Sequence, residues 1–201
     1  MMDLAVLQAV RLKGGLADAS TVIWLAGGDE AAVRRSLGSL VAAGQVQERR
    51  GRYRLMPGGR DMLRAALAAE RAGLDVTALD LVWEEFSAHD HTLKVILRDW
   101  QLRDGEPNDH SDEAYDAVVI TRVEALHGDV SRLATRAAAI IPRLSRYPGR
   151  LEMALVRLRG GDRRFLTHPM VDSYHTVFHE LHEELYGATG RDRASEEATT
   201  G

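Results

Sequence analysis

The chain has 201 residues, of which 45% are hydrophobic and 28% are charged, and its formal net charge at pH 7 is −4. This composition is typical of globular proteins, and no apolar run approaches the length of about eighteen residues expected of a membrane-spanning helix. The absence of cysteine excludes disulfides and thiolate metal sites. The N-terminal residues show neither a basic start nor a small-residue cleavage site, so we expect no signal peptide and a cytoplasmic location.

The charge is divided unevenly along the chain. Residues 1–74 carry a formal charge of +4, whereas residues 75–201 carry −8. A basic first part joined to an acidic second part predicts that only the first part meets a polyanion. Ordinary variation of surface charge is the simpler alternative, and charge alone does not decide between them.

The first part alternates between helical and extended patterns. Apolar residues at helical spacing predict helices over residues 3–13 and 17–26, each followed by a glycine pair. A third helix begins at Asp29, an N-cap residue type, and ends at Gly44. Residues 45–55 then alternate around a turn at Arg50-Gly51, which predicts a β-hairpin, and residues 60–72 predict a fourth helix.

The order of three helices, hairpin and helix suits DNA chemically. An exposed helix face can present side chains to base edges in the major groove, and a cationic hairpin can contact phosphates beside it. The candidates for base contacts lie on the third helix, namely Arg34, Arg35, Ser36 and Ser39. The candidates for phosphate contacts lie in the hairpin, namely Arg49, Arg50, Arg52 and Arg54.

The run LGSLVAAGQVQERRGRYRLMPGGRDML resembles the recognition helix, wing and following helix of MarR-like bacterial winged-helix regulators. Met56 stands where those regulators usually have threonine, and the resemblance covers about residues 3–70. It implies a winged helix-turn-helix domain over residues 1–74, a double-stranded DNA operator and a role in transcription. Two half-sites on DNA imply a homodimer. Winged helices also serve as protein-interaction modules, which remains an alternative.

The second part is predicted to be mainly helical. Turn residues over 104–111 separate an apolar helical pattern from a long helix that Asp112 caps and Pro142 ends. Further helices are predicted over residues 149–159 and from Pro169 to Tyr186. The sequence shows no strand pattern here, so we expect an all-α bundle of about five helices over residues 75–190. Residues 191–201 are predicted to be a disordered tail.

A polar stripe borders the core face of the last predicted helix. It comprises Asp172, His175, His179 and His182, with Asp109 or His110 of the polar loop as possible additions. Imidazoles spaced by one helical turn can coordinate a divalent metal. The stripe can equally line a small-molecule pocket or satisfy its hydrogen bonds as part of the fold, and the three alternatives stay open. No other cofactor is indicated.

The runs VILRDWQLRDGEPNDHSDEAYD and HPMVDSYHTVFHELHEELYG resemble a C-terminal helical region of actinobacterial pyruvate, phosphate dikinase-type proteins. The resemblance covers about residues 80–193 and carries no catalytic role, because the nucleotide-binding and phosphohistidine domains are missing from this chain. It implies a helical module that senses a metabolite or docks a partner. The matching residues are Trp100, Asn108, Asp109, His110, Tyr115, Asp172, Tyr174, His175 and His182.

Together these observations predict a one-component transcriptional regulator, not an enzyme, because no nucleophile–base pair or convincing carboxylate pair is present. The helical part is expected to sense a small-molecule effector through aromatic and polar side chains. The candidates are Trp83, Trp100, Asp109, His110, Tyr115, Tyr174, His175 and His179. Simple core packing is the alternative for each aromatic residue. The alternative functions are a helper module for a dikinase-type enzyme and a His-rich metal sensor.

Overall fold

The computed structural model describes residues 2–191, which are mainly helical. These residues divide into two compact units, one formed by residues 2–73 with residues 190 and 191, the other by residues 74–189. No helix within residues 2–191 is both long and apolar enough to cross a membrane. The predicted tail lies, apart from Arg191, outside the described residues.

The first unit, hereafter the basic unit, contains four helices. They are α1 (Met2–Leu12), α2 (Ala19–Ala26), α3 (Glu30–Ala42) and α4 (Pro57–Arg71). Asp18 and Asp29 cap α2 and α3, because their carboxylates accept hydrogen bonds from the backbone of Thr21 and Ala32, each at 2.8 Å. The predicted start of the third helix at Asp29 is confirmed.

A hairpin links α3 to α4. Strands β1 (Val46–Arg49) and β2 (Arg52–Leu55) pair antiparallel, and the two residues between them have positive φ, +53° at Arg50 and +74° at Gly51. Two successive positive φ values define the turn whose twist matches a two-residue hairpin. The helix after the hairpin begins at Pro57 rather than at residue 60 as predicted, since proline suits the first helical turn.

The core of the basic unit lies where α1, α2, α3 and the hairpin meet. Val6, Leu7, Val22 and Val33 are completely buried there. Gly59 of α4 lies so close to the residue before β1 that an added Cβ would lie 2.1 Å from the Gln45 carbonyl oxygen. Three helices and the hairpin therefore bury one shared core, and α4 closes it.

The second unit, hereafter the helical unit, is built from two long and three shorter helices. They are α5 (Val76–Gln101), α6 (Glu113–Ile140), α7 (Tyr147–Arg159), α8 (Arg164–Thr167) and α9 (Tyr174–Thr189), with a 3₁₀ helix at Pro142–Leu144 between α6 and α7. Asp112 caps α6 as predicted, accepting a hydrogen bond from the Tyr115 backbone at 3.0 Å. The core runs along α5, α6, α7 and α9 and includes Phe86, Val123, Leu151 and Leu181.

Two predictions for this unit are wrong. The polar segment after α5 forms a small antiparallel ribbon, β3 (Leu102–Arg103) and β4 (Glu106–Pro107), so the unit is not strictly all-α. The last helix begins at Tyr174 rather than Pro169. Ser173 supplies the cap, because its hydroxyl accepts a hydrogen bond from the Thr176 backbone at 3.3 Å.

Candidate functional site

One face of the β1–β2 hairpin carries a row of arginines. The register sets Arg49 opposite Arg52 and Gln47 opposite Arg54. Because side chains alternate along a strand, these four residues share one face, and the buried Val46 lies on the other. Two like charges directly opposite each other are unfavourable by themselves. Arg49, Arg52 and Arg54 form this face, here called the arginine face. An anion bound against it would reduce the repulsion between the arginine charges.

Two of these arginines are held in place by neighbouring groups. Arg52 donates a hydrogen bond to the Leu16 carbonyl oxygen at 2.6 Å and lies 3.5 Å from the Asp18 carboxylate. Arg54 donates to the Gln47 side chain at 2.8 Å. Both side chains nevertheless remain exposed, and Arg50 is exposed at the tip of the turn. The hairpin thus presents four accessible guanidinium groups, as its sequence predicted.

Helix α3 exposes three of its four predicted base-contacting residues. Arg34 pairs with Glu30 at 2.8 Å, Arg35 lies 3.9 Å from Asp29, and Ser39 is exposed. Exposed pairs of this kind are weak, so both arginines can exchange partners at little cost.

The prediction that Ser36 contacts bases is wrong. Ser36 is 8% exposed, and its hydroxyl donates a hydrogen bond to Asp3 of α1. It lies on the same helical face as the core residues Val33 and Leu40, which removes it from the surface that a ligand can reach.

A cleft of about 540 Å³ adjoins the hairpin. Arg11, Arg54 and Arg60 contribute to its lining, together with Gly14 and Gly15 at the end of α1. Three arginines around one cleft extend the positive surface of the basic unit beyond the arginine face.

In the helical unit, a buried carboxylate organises the segment after β4. Asp116 is 1% exposed and accepts hydrogen bonds from Asn108 at 3.2 Å and from Nδ1 of His110 at 3.1 Å. Arg163 forms an ion pair with it at 3.2 Å, and the His110 ring lies on Trp100 with centroids 4.3 Å apart. His110 adopts a φ of +59°, a conformation that this network holds in place.

Two more of the predicted effector residues belong to the same region but not to that network. Tyr115 donates its hydroxyl to the Asp99 carbonyl oxygen at 2.9 Å, and Arg103 lies over its ring. Asp109 is exposed and accepts a hydrogen bond from the Ser111 backbone at 3.0 Å, which lowers the pKa of its carboxyl. The hydrogen bonds of both groups therefore stabilise the conformation of the segment after β4.

A second network of buried charges joins α7 to α9, and sequence reasoning missed it. Arg150, with a side chain 4% exposed, pairs with Glu180 at 2.7 Å and with Asp172 at 3.0 Å. Arg143 pairs with Glu184 nearby, and Tyr147 lies among these charges. The available signal was an acidic residue on the apolar face of the last helix, at Glu180.

Burial and charge shift the pKa values within this network. Burial by itself lowers the pKa of Arg150, but Glu180 and Asp172 more than offset that effect and the net shift is upward. Burial first, and then Glu184 and Glu180, raise the pKa of Tyr147 well above its usual value. Arg150 therefore stays charged and Tyr147 stays neutral at physiological pH.

The predicted histidine stripe is only partly assembled. Asp172 precedes α9 and is held by Arg150, which takes it out of the stripe. Among the described residues, the group close enough to share one ion is His179, His182 and Glu183, whose ligand atoms lie within 4.8 Å of one another. Glu183 was not predicted. His175 stands one turn earlier, and burial, then His179, lowers the pKa of its imidazole.

Three of the four aromatic residues predicted to line an effector pocket are core residues, and the fourth, Tyr115, is partly buried. Trp83, Trp100 and Tyr174 are at most 5% exposed. Their ring contacts fall in three clusters, Trp83 with His182, Trp100 with His110, and Tyr174 with His127. These rings fill space that a pocket would leave open, so core packing is the better explanation for them.

A shallow cleft of about 390 Å³ lies elsewhere in the helical unit, between α5 and α6. Its lining includes His91, Val95, Arg122 and Leu126. None of the predicted effector residues contributes to this cleft.

No protein-family model, curated protein or solved structure matches this chain. The two sequence resemblances therefore stay predictions, and the function has to be argued from the residues themselves.

Proposed function

We propose that residues 2–73 form a winged helix-turn-helix domain that binds duplex DNA, and that the chain is a transcriptional regulator. In this proposal α3 is the recognition helix and the β1–β2 hairpin is the wing. The order of elements, the caps at Asp18 and Asp29 and the two-residue turn are consistent with that assignment.

The arginine face is the observation that carries the proposal. Arg49 and Arg52 stand directly opposite each other, and Arg54 continues the row on the same strand face. Such a row is unfavourable in an isolated hairpin but favourable against the closely spaced phosphates of a DNA strand. The acidic helical unit offers no equivalent row within its described strands, so the arginine face distinguishes the basic unit.

The surface of α3 supports the same proposal. Arg34, Arg35 and Ser39 are exposed, and the space beside Gly38 is open, with no atom within 4 Å of an added Cβ. Arginine recognises guanine through two hydrogen bonds, and small neighbours allow the helix to approach the groove. Base contacts therefore fall to Arg34, Arg35 and Ser39, without Ser36.

The measurement that tests this proposal is DNA affinity as a function of salt. Fluorescence anisotropy of the full chain with a labelled duplex from upstream of its own gene should show binding that weakens steeply as salt rises. Arg49→Gln and Arg54→Gln should each reduce the slope of log K against log salt by about 1. Arg64→Gln is the matched control, since Arg64 is an exposed α4 arginine outside the arginine face.

Sequence preference is tested separately on α3. Replacing Arg35 by alanine should weaken binding to the preferred duplex by about 1–3 kcal/mol while changing binding to an unrelated duplex much less. If the full chain shows no salt-dependent DNA binding at low salt, or if Arg64→Gln weakens binding as much as Arg49→Gln, the DNA-binding proposal is wrong.

The helical unit is proposed to be the effector-sensing and homodimer-forming part of this regulator. The α5–α6 cleft of about 390 Å³ falls within the size range of small-molecule sites, which favours effector binding by the helical unit. Val95→Trp, which fills the cleft, should abolish any ligand-induced rise in melting temperature found by screening the full chain against a metabolite panel. A rise that survives Val95→Trp would place the effector elsewhere.

A further inference from the structure

The His/Glu cluster, formed by His179, His182 and Glu183, lies on one turn and a half of α9. The potential ligand atoms of these residues all lie within 4.8 Å of one another. A zinc ion bound at about 2.0–2.1 Å requires ligand atoms roughly 3.4 Å apart, a distance that small side-chain rotations reach from this starting arrangement.

The aromatic surroundings hold the central ligand of the cluster in place. The His182 ring lies 5.4 Å from the Trp83 ring and 5.7 Å from the Phe86 ring, centroid to centroid. His179 stacks nearly parallel to it, with an interplanar angle of 10°. Because these contacts limit the rotation of His182, less side-chain entropy is lost when an ion binds.

The third potential ligand, Glu183, is a carboxylate in a poorly hydrated position. It is 8% exposed, and its Oε1 lies 3.7 Å from Nδ1 of His182. A buried carboxylate is costly unless positive charge compensates it.

We propose that His179, His182 and Glu183 bind one divalent transition-metal ion of the zinc class. Two imidazoles and one carboxylate are a donor set that zinc accepts with a fourth position left for water or an anion. The ligand set differs from the predicted stripe, because Glu183 replaces Asp172 and His175. This inference does not depend on DNA binding, since it concerns the helical unit alone.

His175 stands outside the cluster, one turn before His179 on α9. It therefore serves as the comparison residue that separates the proposed cluster from a simple pair of histidines spaced by four residues.

The test uses the full chain without an affinity tag, titrated with Zn²⁺ by calorimetry and with Co²⁺ by visible absorption. We expect one ion per chain, a cobalt spectrum typical of nitrogen and oxygen ligands, and a melting temperature that rises with Zn²⁺. His179→Ala and Glu183→Gln should each weaken binding by about 10–100-fold or more. His168→Ala, which changes an exposed histidine of the helical unit outside the cluster, is the matched control and should bind normally.

Three results would overturn the proposal. The first is no saturable binding of Zn²⁺ by the folded chain. The second is unchanged affinity in Glu183→Gln, and the third is loss of binding in His175→Ala. Circular dichroism of each variant confirms that it is folded, and Glu183→Gln preserves the size of the side chain, so a loss of metal is not a loss of fold.

Discussion

The basic unit keeps its arginines on the surface, whereas the helical unit buries several of its charged groups. Arg49, Arg50 and Arg54 are exposed on the hairpin, while Arg150 and Glu180 have side chains at most 4% exposed. The exposed arginines contribute little to folding and are free to exchange partners. The buried pair is bound to the fold, because removing either partner leaves a charge in a poorly hydrated environment.

This difference separates residues available for recognition from residues that define the architecture. The presence of charge does not distinguish the two groups, since both units contain arginines near acidic residues. Their burial distinguishes them. The same substitution should therefore change the free energy of unfolding more at a buried charged residue than at an exposed one.

The largest effect is expected in the α7–α9 network. Arg150→Ala removes the cation that pairs with the buried Glu180 and should lower the free energy of unfolding by about 3–5 kcal/mol. Arg159→Ala, on the same helix but with a half-exposed side chain, should cost less than about 1 kcal/mol. Urea unfolding followed by tryptophan fluorescence reports on this unit, because Trp83 and Trp100 are buried there. Equal losses in the two variants would contradict the comparison.

A smaller effect is expected at Asp116. Asp116→Asn removes the charge that holds His110 and Arg163 and should cost about 1.5–3 kcal/mol. Asp129→Asn is the control on the same helix, since half of the Asp129 side chain is exposed. The same urea experiment measures both variants. A loss at Asp129 as large as that at Asp116 would show that burial of the carboxylate does not matter here.

In the basic unit, packing rather than charge should dominate stability. Gly59→Ala forces the new methyl against the Gln45 carbonyl and should cost about 1–3 kcal/mol. Gly38→Ala has open space around it and should stabilise α3 by about 0.5–1 kcal/mol. Hydrogen exchange of the amides in residues 2–73 measures both. If Gly59→Ala is neutral, α4 does not lie against the Gln45 backbone as described.

The smallest effect concerns the cap of α2. Hydrogen bonds from the Thr21 backbone and from Ser20, with a minor contribution from Arg52, lower the pKa of Asp18 from its usual 3.8 to about 2. A lowered pKa stabilises the fold above about pH 4, and this contribution is lost as the pH falls towards 2. Because the side chain is 41% exposed, Asp18→Ala should cost only about 0.5–1 kcal/mol at neutral pH.

The pH dependence checks the cause of that effect. The difference in free energy of unfolding between the wild type and Asp18→Ala should shrink from pH 4 to pH 2, measured by the same hydrogen exchange experiment. A difference that stays constant over this range would mean that the carboxylate charge plays no part in the cap.

Much of the secondary structure could be predicted from local patterns. The caps at Asp29 and Asp112, the hairpin turn at Arg50-Gly51 and the apolar faces of α5 follow from neighbouring residues alone. The start of α9 could not be predicted, because a favourable proline at position 169 competes with Ser173, and contacts from α7 to Asp172 favour the later start. Local signals fail where two of them conflict and a distant residue decides.

The candidate sites divide in the same way. The sequence by itself determined that the hairpin arginines are exposed, since strand alternation and a short turn leave them no core to enter. Only the tertiary structure decided that Ser36 bonds to Asp3, that Arg150 crosses to Glu180 and Asp172, and that Glu183 joins His179 and His182. The contacts of Ser36 and Arg150 join residues that are far apart along the chain, so their spacing carries no signal. Glu183 is one turn from His179 on α9, but its burial is set by the packing of whole elements.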